Sequence, residues 1–319
     1  MKNIYGTIKK CLRAFLEKLY ISTVAPKAEV KKYYVSICTI FKDEAPFMKE
    51  WVEYHRMIGF DHIYLYNNNS SDNYLEILRT YIDDGFVTLT DWPDTPGQLS
   101  AYRHFACNFW NETSWVAFCD LDEFYCPRKC RNIKDFLELY KRYPSIFCYW
   151  RLFGAGGKEH HDFSRPVIEQ YVNASSIFDR VGKCIVNTDY EIYSYSASSI
   201  HFTKVTRNIL KHPFVFDPID IFGNVINSET ATDKLLRRRG RKMSESAPIQ
   251  INHYRNMAWD IVRKKASMTN VFYDENNTRK HFCFFLHAEN LIDSVDYSIY
   301  RFLTELKLNL KGRMSDIIN

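Results

Sequence analysis

The chain has 319 residues, 46 % of them hydrophobic, including 23 Phe, 22 Tyr and 6 Trp. That much apolar material supports one large α/β domain or two modest ones and excludes general disorder. The net charge of +5 is too small for the basic footprint of a nucleic-acid binder, although it suits an anionic membrane surface or a phosphorylated substrate.

In chain order, the N-terminal stretch MKNIYGTIKKCLRAFLEKLYI has helical periodicity. Ile4, Ile8, Leu12, Phe15 and Leu19 share one side, with Lys9, Lys10, Arg13 and Lys18 largely off it. Two readings stand side by side: a helix lying on an anionic membrane, or a helix docked on its own domain or on a second subunit. It has no uninterrupted signal-peptide core, and no run in the chain reaches the ~18 apolar residues of a spanning helix. From residue 33 the pattern alternates. Strands are expected at 33–41, 62–66, 86–92 and 115–119, separated by helices at 43–59, 71–85 and 97–112. Pro46 lies near the start of the first helix and Gly59 just past its end. The second helix has a Ser/Asp start and a Gly stop. Such alternation argues for a mostly parallel sheet with helices on both faces, whose ligands bind beyond the carboxyl ends of the strands. There is no internal repeat and no Gly-rich nucleotide fingerprint.

The fourth strand runs straight into acid: WVAFCDLDEF, residues 115–124, places Asp120, Asp122 and Glu123 at the end of an apolar run. Carboxylates beside a core cost several kcal/mol unless they are paired or neutralised. Either a divalent cation waits there, or the acids sit in a solvated turn. If strand geometry persists, Asp120 and Asp122 point to one side and Glu123 to the other.

Beyond this point a helix is expected at 133–143 and a strand at 145–154. GAGGKEHHD (154–162) reads as a polar glycine-rich loop, 181–187 and 198–205 as strands, and 233–248 as an exposed basic loop. Residues 251–268 lead into a helix, and 291–308 form another. Nine cysteines, odd in number and partly in apolar runs, read as reduced thiols in a reducing compartment. Cys126 and Cys130 are spaced loosely like a zinc pair, but no second pair follows, which argues against structural zinc.

The segments ICTIFKDEAPFMKEWVEYHRMIGFDHIYLYNNNSSDN, GQLSAY, DLDEF, W.LFG.GG, K.IVNT, IHF and INHY occur in one order over roughly residues 33–265. Together they resemble glycosyltransferase family 92 and its bacterial relatives. The resemblance implies an α/β domain of GT-A type, with a Rossmann-like, mostly parallel sheet flanked by helices. It divides the chain into a basic amphipathic segment (1–32) and a GT-A domain (33–319). Within that domain 33–153 is the nucleotide-sugar half, and 154–319 the acceptor half with C-terminal helices. It also implies metal-dependent transfer of a sugar from a nucleotide sugar, UDP-linked by default, to a glycan or lipid-linked glycan acceptor, with inversion.

The residue chemistry agrees. A departing diphosphate needs its charge neutralised, and Mn²⁺ or Mg²⁺ does so as a Lewis acid held by hard oxygen ligands. The resemblance assigns the metal to Asp120, Asp122 and His253, with Asp122 the direct ligand; an imidazole favours Mn²⁺. Taken alone, His253 would read as a packed core histidine. The donor is assigned to Thr39, Asp43, Glu44, Asn67, Gln98, Arg103, Asp120, Lys183 and His201; the last two read equally as facing the acceptor or as pairing with acids at the edge of the core. Asn67 stands where the wider superfamily often has Asp, and Arg103 reads equally as a helix-surface residue. Glu159 and Asp162, after the glycine-rich loop, are the candidate bases, with Asp179 in reserve; any one of them taken singly reads as a surface acid. The rivals are a sugar-phosphate or nucleotidyl transferase, disfavoured by the lack of a dense basic phosphate cradle, and a non-catalytic carbohydrate-binding protein of the same fold. The expected setting is cytoplasmic, with residues 1–32 contacting the inner face of the membrane in the first reading of that segment, and with no nucleic acid.

Overall fold

A computed structural model describes residues 30–195, 201–209, 212–226, 245–266, 285–287 and 289–312. The N-terminal segment 1–29 and most of the basic loop at 233–248 lie outside the described residues.

The alternation read from the sequence produces one large sheet. Strands β1 (Tyr33–Phe41), β2 (His62–Asn67), β3 (Val87–Asp91) and β4 (Thr113–Phe118) are joined through helices α1 (Ala45–Met57), α2 (Tyr74–Asp83) and α3 (Gln98–Asn108). All four strands are parallel, in the spatial order β3-β2-β1-β4. The order reverses at β1, whose own crossover leads to β2 on one side while β4 pairs on the other. Sheets of this kind open a ligand crevice at such a reversal, beyond the carboxyl ends of the strands. Gly59 ends α1 at φ +101°, a backbone conformation that suits glycine far better than any L side chain.

The sheet continues as β4-β8-β6-β13-β5, with β12 (Ile219–Asp220) beside β6. These strands are β5 (Glu123–Pro127), β6 (Ser145–Leu152), β8 (Gly182–Asn187) and β13 (Ile249–His253), with helix α4 (Ile133–Tyr140) after β5 and the short α5 (Val167–Gln170) after β6. Strand β8 is antiparallel to both β4 and β6, and β13 is parallel to β6 but antiparallel to β5. Small ribbons pair β9–β11 (Glu191–Ile192, Val205–Ile209 and His212–Phe216) and β7 with β14 (Asn173–Ala174 and Ser294–Val295). Gly182 opens β8 because a side chain there would overlap the Cys148 carbonyl of β6.

Four elements differ from the sequence reading. Strand β5 follows the acidic turn directly, with only four residues between it and β4; its apolar run EFYCP was hidden behind the acids. Among the described residues of 198–205, strand begins only at Val205. Residues 249–253 are strand and only 259–266 helix (α6, Trp259–Ala266). The expected C-terminal helix at 291–308 is a short strand, a 3₁₀ turn and then α7 (Leu303–Lys311).

The core lies between the sheet and its helices. Trp51 and Tyr54 of α1, both fully buried, donate to the Glu123 and Tyr125 carbonyls of β5 at 2.9 Å each. Helix α7 packs on α1. The C-terminal segment is tied to β6 by a buried ion pair, Arg151 to Asp296 at 2.6 Å, and Gln250 of β13 also donates to Asp296. No helix among the described residues is long and apolar enough to cross a membrane.

Candidate active site

Strand β4 ends at Phe118, and Asp120 to Asp122 form a turn. Strand alternation therefore does not reach the acids, and Asp120 and Asp122 take separate partners instead of sharing one face. Asp120 accepts from Lys183 Nζ at 2.8 Å and from Gln98 Nε2 at 3.2 Å. Lys183 stands on β8, only 1 % exposed, and lies 3.7 Å from Glu123 as well. Glu123 is fully buried. It points inward and accepts from the Asp120 amide at 3.2 Å. Burial raises its carboxyl well above the usual range, against the opposing pull of Lys183. Burial likewise disfavours the Lys183 ammonium, but Asp120 and Glu123 outweigh it and hold Lys183 charged. The cation that an acidic cluster beside a core requires is thus partly supplied by the chain itself.

Asp122 faces the other way. Antiparallel pairing of β13 with β5 sets His253 opposite Glu123, and the Tyr254 amide donates to the Asp122 carbonyl at 2.8 Å. This register brings His253 Nε2 to 3.5 Å from Asp122 Oδ1. Lys265, near the end of α6, lies 3.3 Å from Asp122 Oδ2 and 3.0 Å from Glu44 Oε1. Glu44 belongs to the loop after β1, so Lys265 joins the two loops that flank the reversal of the sheet. Burial opposes ionisation of Asp122, but Lys265 and the His253 hydrogen bond outweigh it, and the carboxyl is held well below the usual range.

The Asp122–His253 pair suits a divalent cation in its chemistry. The donors are a carboxylate oxygen and an imidazole nitrogen, ligand types used for Mn²⁺. A 3.5 Å separation is that of neighbouring ligands on one ion with bonds of roughly 2.0–2.2 Å. The second imidazole nitrogen, Nδ1, is buried without a hydrogen-bond partner. Among the described residues no third His, Cys, Asp or Glu completes a set, so water or donor oxygens would fill the remaining positions. Asp120, held by Lys183 and Gln98, is not part of this pair.

The other expected donor residues divide into two groups. His201 lies near Asp120: its Nδ1 is 3.0 Å from the Gly182 carbonyl, and its ring meets Trp150 edge-on at 5.1 Å. Burial and the nearby Lys183 push its pKa down to about 4. Trp150 also meets the His253 ring at 4.3 Å, tilted by 48°, so one indole packs both histidines. Thr39 is fully buried within β1. Asp43 accepts from the Ser71 amide and hydroxyl at 2.6 and 3.1 Å, holding the β1 loop to the β2 loop. Asn67 uses its amide for Tyr74, Asp91 and the Ser70 backbone. These three lie in and just after β1 and β2, buried or with side chains already engaged. Arg103 is exposed, over the ring of Tyr195 at 5.4 Å.

Of the candidate bases, Asp162 accepts from the Ser164 hydroxyl and amide at 2.6 and 2.9 Å, and these bonds lower its pKa. Asp179 caps a turn through the Val181 amide. The Glu159 side chain is exposed, while its carbonyl accepts from Asp260 of α6. The loop carrying Glu159 is therefore docked on the helix that carries Lys265. Lys265 is the residue that sequence reasoning missed. In RKK (263–265) nothing but helix phase separates it from Arg263 and Lys264, which are exposed.

The family model for glycosyltransferase family 92 matches residues 31–283. The chain belongs to that family. A glycosyltransferase family 92 protein of Arabidopsis thaliana is 24 % identical over 260 residues, 78 % of this chain and 40 % of the relative. One of Oryza sativa subsp. japonica is 32 % identical over 117 residues, 36 % of this chain and 20 % of the relative. This chain thus spans well under half the length of these relatives. Among solved structures, S. aureus TarS in complex with UDP is 15 % identical, with a TM-score of 0.29 over 40 % of this chain and 38 % of that one, too distant to carry a residue role. In this family 92 chain Asp120 and Asp122 stand just past the carboxyl end of β4, beside the reversal of the sheet.

Proposed function

We propose that this family 92 glycosyltransferase transfers a sugar from a nucleotide sugar, UDP-linked by default, to a glycan or lipid-linked glycan acceptor with inversion, and that it needs Mn²⁺ or Mg²⁺. The observation that carries this reading is the pairing of Asp122 with His253 at 3.5 Å, beyond β4 and across the crevice from the loop after β1. Asp122 and His253 would hold the ion, which supplies neutralisation of the charge that develops on the leaving diphosphate. Lys183 keeps Asp120 oriented at the rim. Gln98 fixes the other oxygen of that carboxylate, leaving Asp120, 35 % exposed, to meet donor hydroxyls. His201, held neutral, presents an imidazole that can hydrogen-bond without adding charge.

Inversion requires a base opposite the leaving group. Glu159 is the first candidate, because its carboxylate is exposed while the Ser164 hydroxyl and amide occupy that of Asp162. The test is Asp122→Ala assayed for sugar transfer and for UDP release from a panel of UDP-sugars with Mn²⁺. Loss of both activities with unchanged thermal unfolding is expected. Wild-type turnover by Asp122→Ala, or by the unaltered chain in EDTA, refutes the metal role.

A further inference from the structure

We propose that Lys265 is a resident cation, holding Asp122 and Glu44 together until the divalent ion arrives and displaces it from Asp122. The proposal rests on the reading that Asp122 and His253 bind that ion. Three observations lead to it. First, Lys265 Nζ lies 3.0 Å from Glu44 and 3.3 Å from Asp122, so a single ammonium bridges carboxylates from the loops after β1 and β4. Glu44 and Asp122 are only 20 % and 17 % exposed, and without a cation between them they would repel in a poorly solvated site.

Second, Lys265 engages Oδ2 of Asp122 while His253 faces Oδ1. One carboxylate therefore carries the ammonium on one oxygen and the metal partner on the other. A divalent ion bound at Oδ1 would sit within a few ångströms of the ammonium, and like charges at that range disfavour each other. Third, the ammonium has a way out. Lys265 is 30 % exposed, the most open of the three charged side chains, and its four-carbon stem can swing without backbone movement. Its bond to Glu44 remains available once Asp122 is released. The metal-free crevice is thereby kept from collapsing or repelling itself apart, and metal affinity is set by a competition within the chain.

The experiment measures Mn²⁺ binding without nucleotide, from the electron paramagnetic resonance signal of free Mn²⁺, for the full chain and its variants. Lys265→Met and Lys265→Gln should bind Mn²⁺ roughly 3–10-fold more tightly than wild type, the weight of an ion pair at the border of surface and interior. Lys265→Arg, which keeps the charge, should stay near wild type, and adding Asp122→Asn to either neutral variant should remove the gain. Thermal unfolding identifies folded variants, and two neutral substitutions are included so that one folding failure leaves the comparison intact. If the neutral variants bind Mn²⁺ as wild type does, or more weakly, the resident-cation role is overturned while the metal site stands. If neither wild type nor any variant binds Mn²⁺, the metal reading falls and the competition falls with it.

Discussion

Removing the Lys183 ammonium tests the reasoning about the acidic turn most directly. In Lys183→Met the stem volume is nearly kept, but Asp120 and Glu123 lose the cation at 2.8 and 3.7 Å. Asp120 is partly exposed and can be hydrated in compensation, whereas Glu123 has no exposure at all. Leaving one partner of a buried pair unpaired costs about 3–5 kcal/mol. At roughly 2–4 °C per kcal/mol for a chain of this order, Tm should fall on the order of 10 °C. The loss should depend on pH with a definite sign. Burial already raises the Glu123 pKa above its ordinary 4.5, and without Lys183 it rises further. Above 4.5 the native variant then retains a proton that the unfolded chain has released, so its stability falls as pH rises. The Tm difference from wild type should be smallest near pH 4.5, where both native proteins carry the Glu123 proton, and should widen only once the pH passes the raised wild-type value. Lys183→Met/Glu123→Gln, with the ionisable group gone, should recover much of the loss and most of the pH dependence. Thermal unfolding by circular dichroism across this range reads both effects. A Lys183→Met protein with wild-type Tm at pH 8, or one whose deficit is the same at every pH, refutes the argument.

Glu50 offers a second pH test. It is buried, accepts from the Val167 and Ile168 amides at 2.7 and 3.1 Å, and has its pKa pushed up to about 7 by burial against those bonds. Its contribution should therefore fall as pH rises between 4.5 and about 7. Glu50→Gln should flatten that part of the stability–pH curve, and an unaltered slope rules the assignment out. Glu159→Gln should lower kcat by ~10²–10⁴-fold, the usual worth of a general base, with donor KM nearly unchanged. Wild-type kcat would move attention to Asp162 and, if Asp162→Asn also turns over normally, to Asp179. Gly182→Ala should destabilise strongly, because its Cβ would overlap the Cys148 carbonyl, a backbone atom of the neighbouring strand. A Tm near wild type would show that β6 and β8 can part without cost.

The parallel half of the sheet was legible in the sequence because its signals are local. Apolar runs such as YYVSICTIF, a proline entering α1 and glycines past the ends of α1 and α2 need only neighbouring residues to be read, and all recur in β1–β4 and their helices. The acidic cluster was legible for the same reason: Asp120, Asp122 and Glu123 stand together at the end of an apolar run, and their need for a positive partner follows from desolvation. The ordered motifs carried the family. The identity of the positive partner was not legible. Lys183 reaches Asp120 because β8 returns antiparallel beside β4, 63 residues later in the chain. Lys265 reaches Asp122 from 143 residues away, and its place on α6, not its residue type, separates it from Arg263 and Lys264. His253 could be packed core or ligand until the β13–β5 register set it beside Asp122. Nor could strand periodicity foresee that Asp120 and Asp122 part company, since a turn between β4 and β5 ends the alternation that would have kept them together. Local pattern decides which residues form elements and where charge is stranded; only long-range pairing decides which opposite charge meets it, because that contact is made across the fold and leaves no period in the sequence.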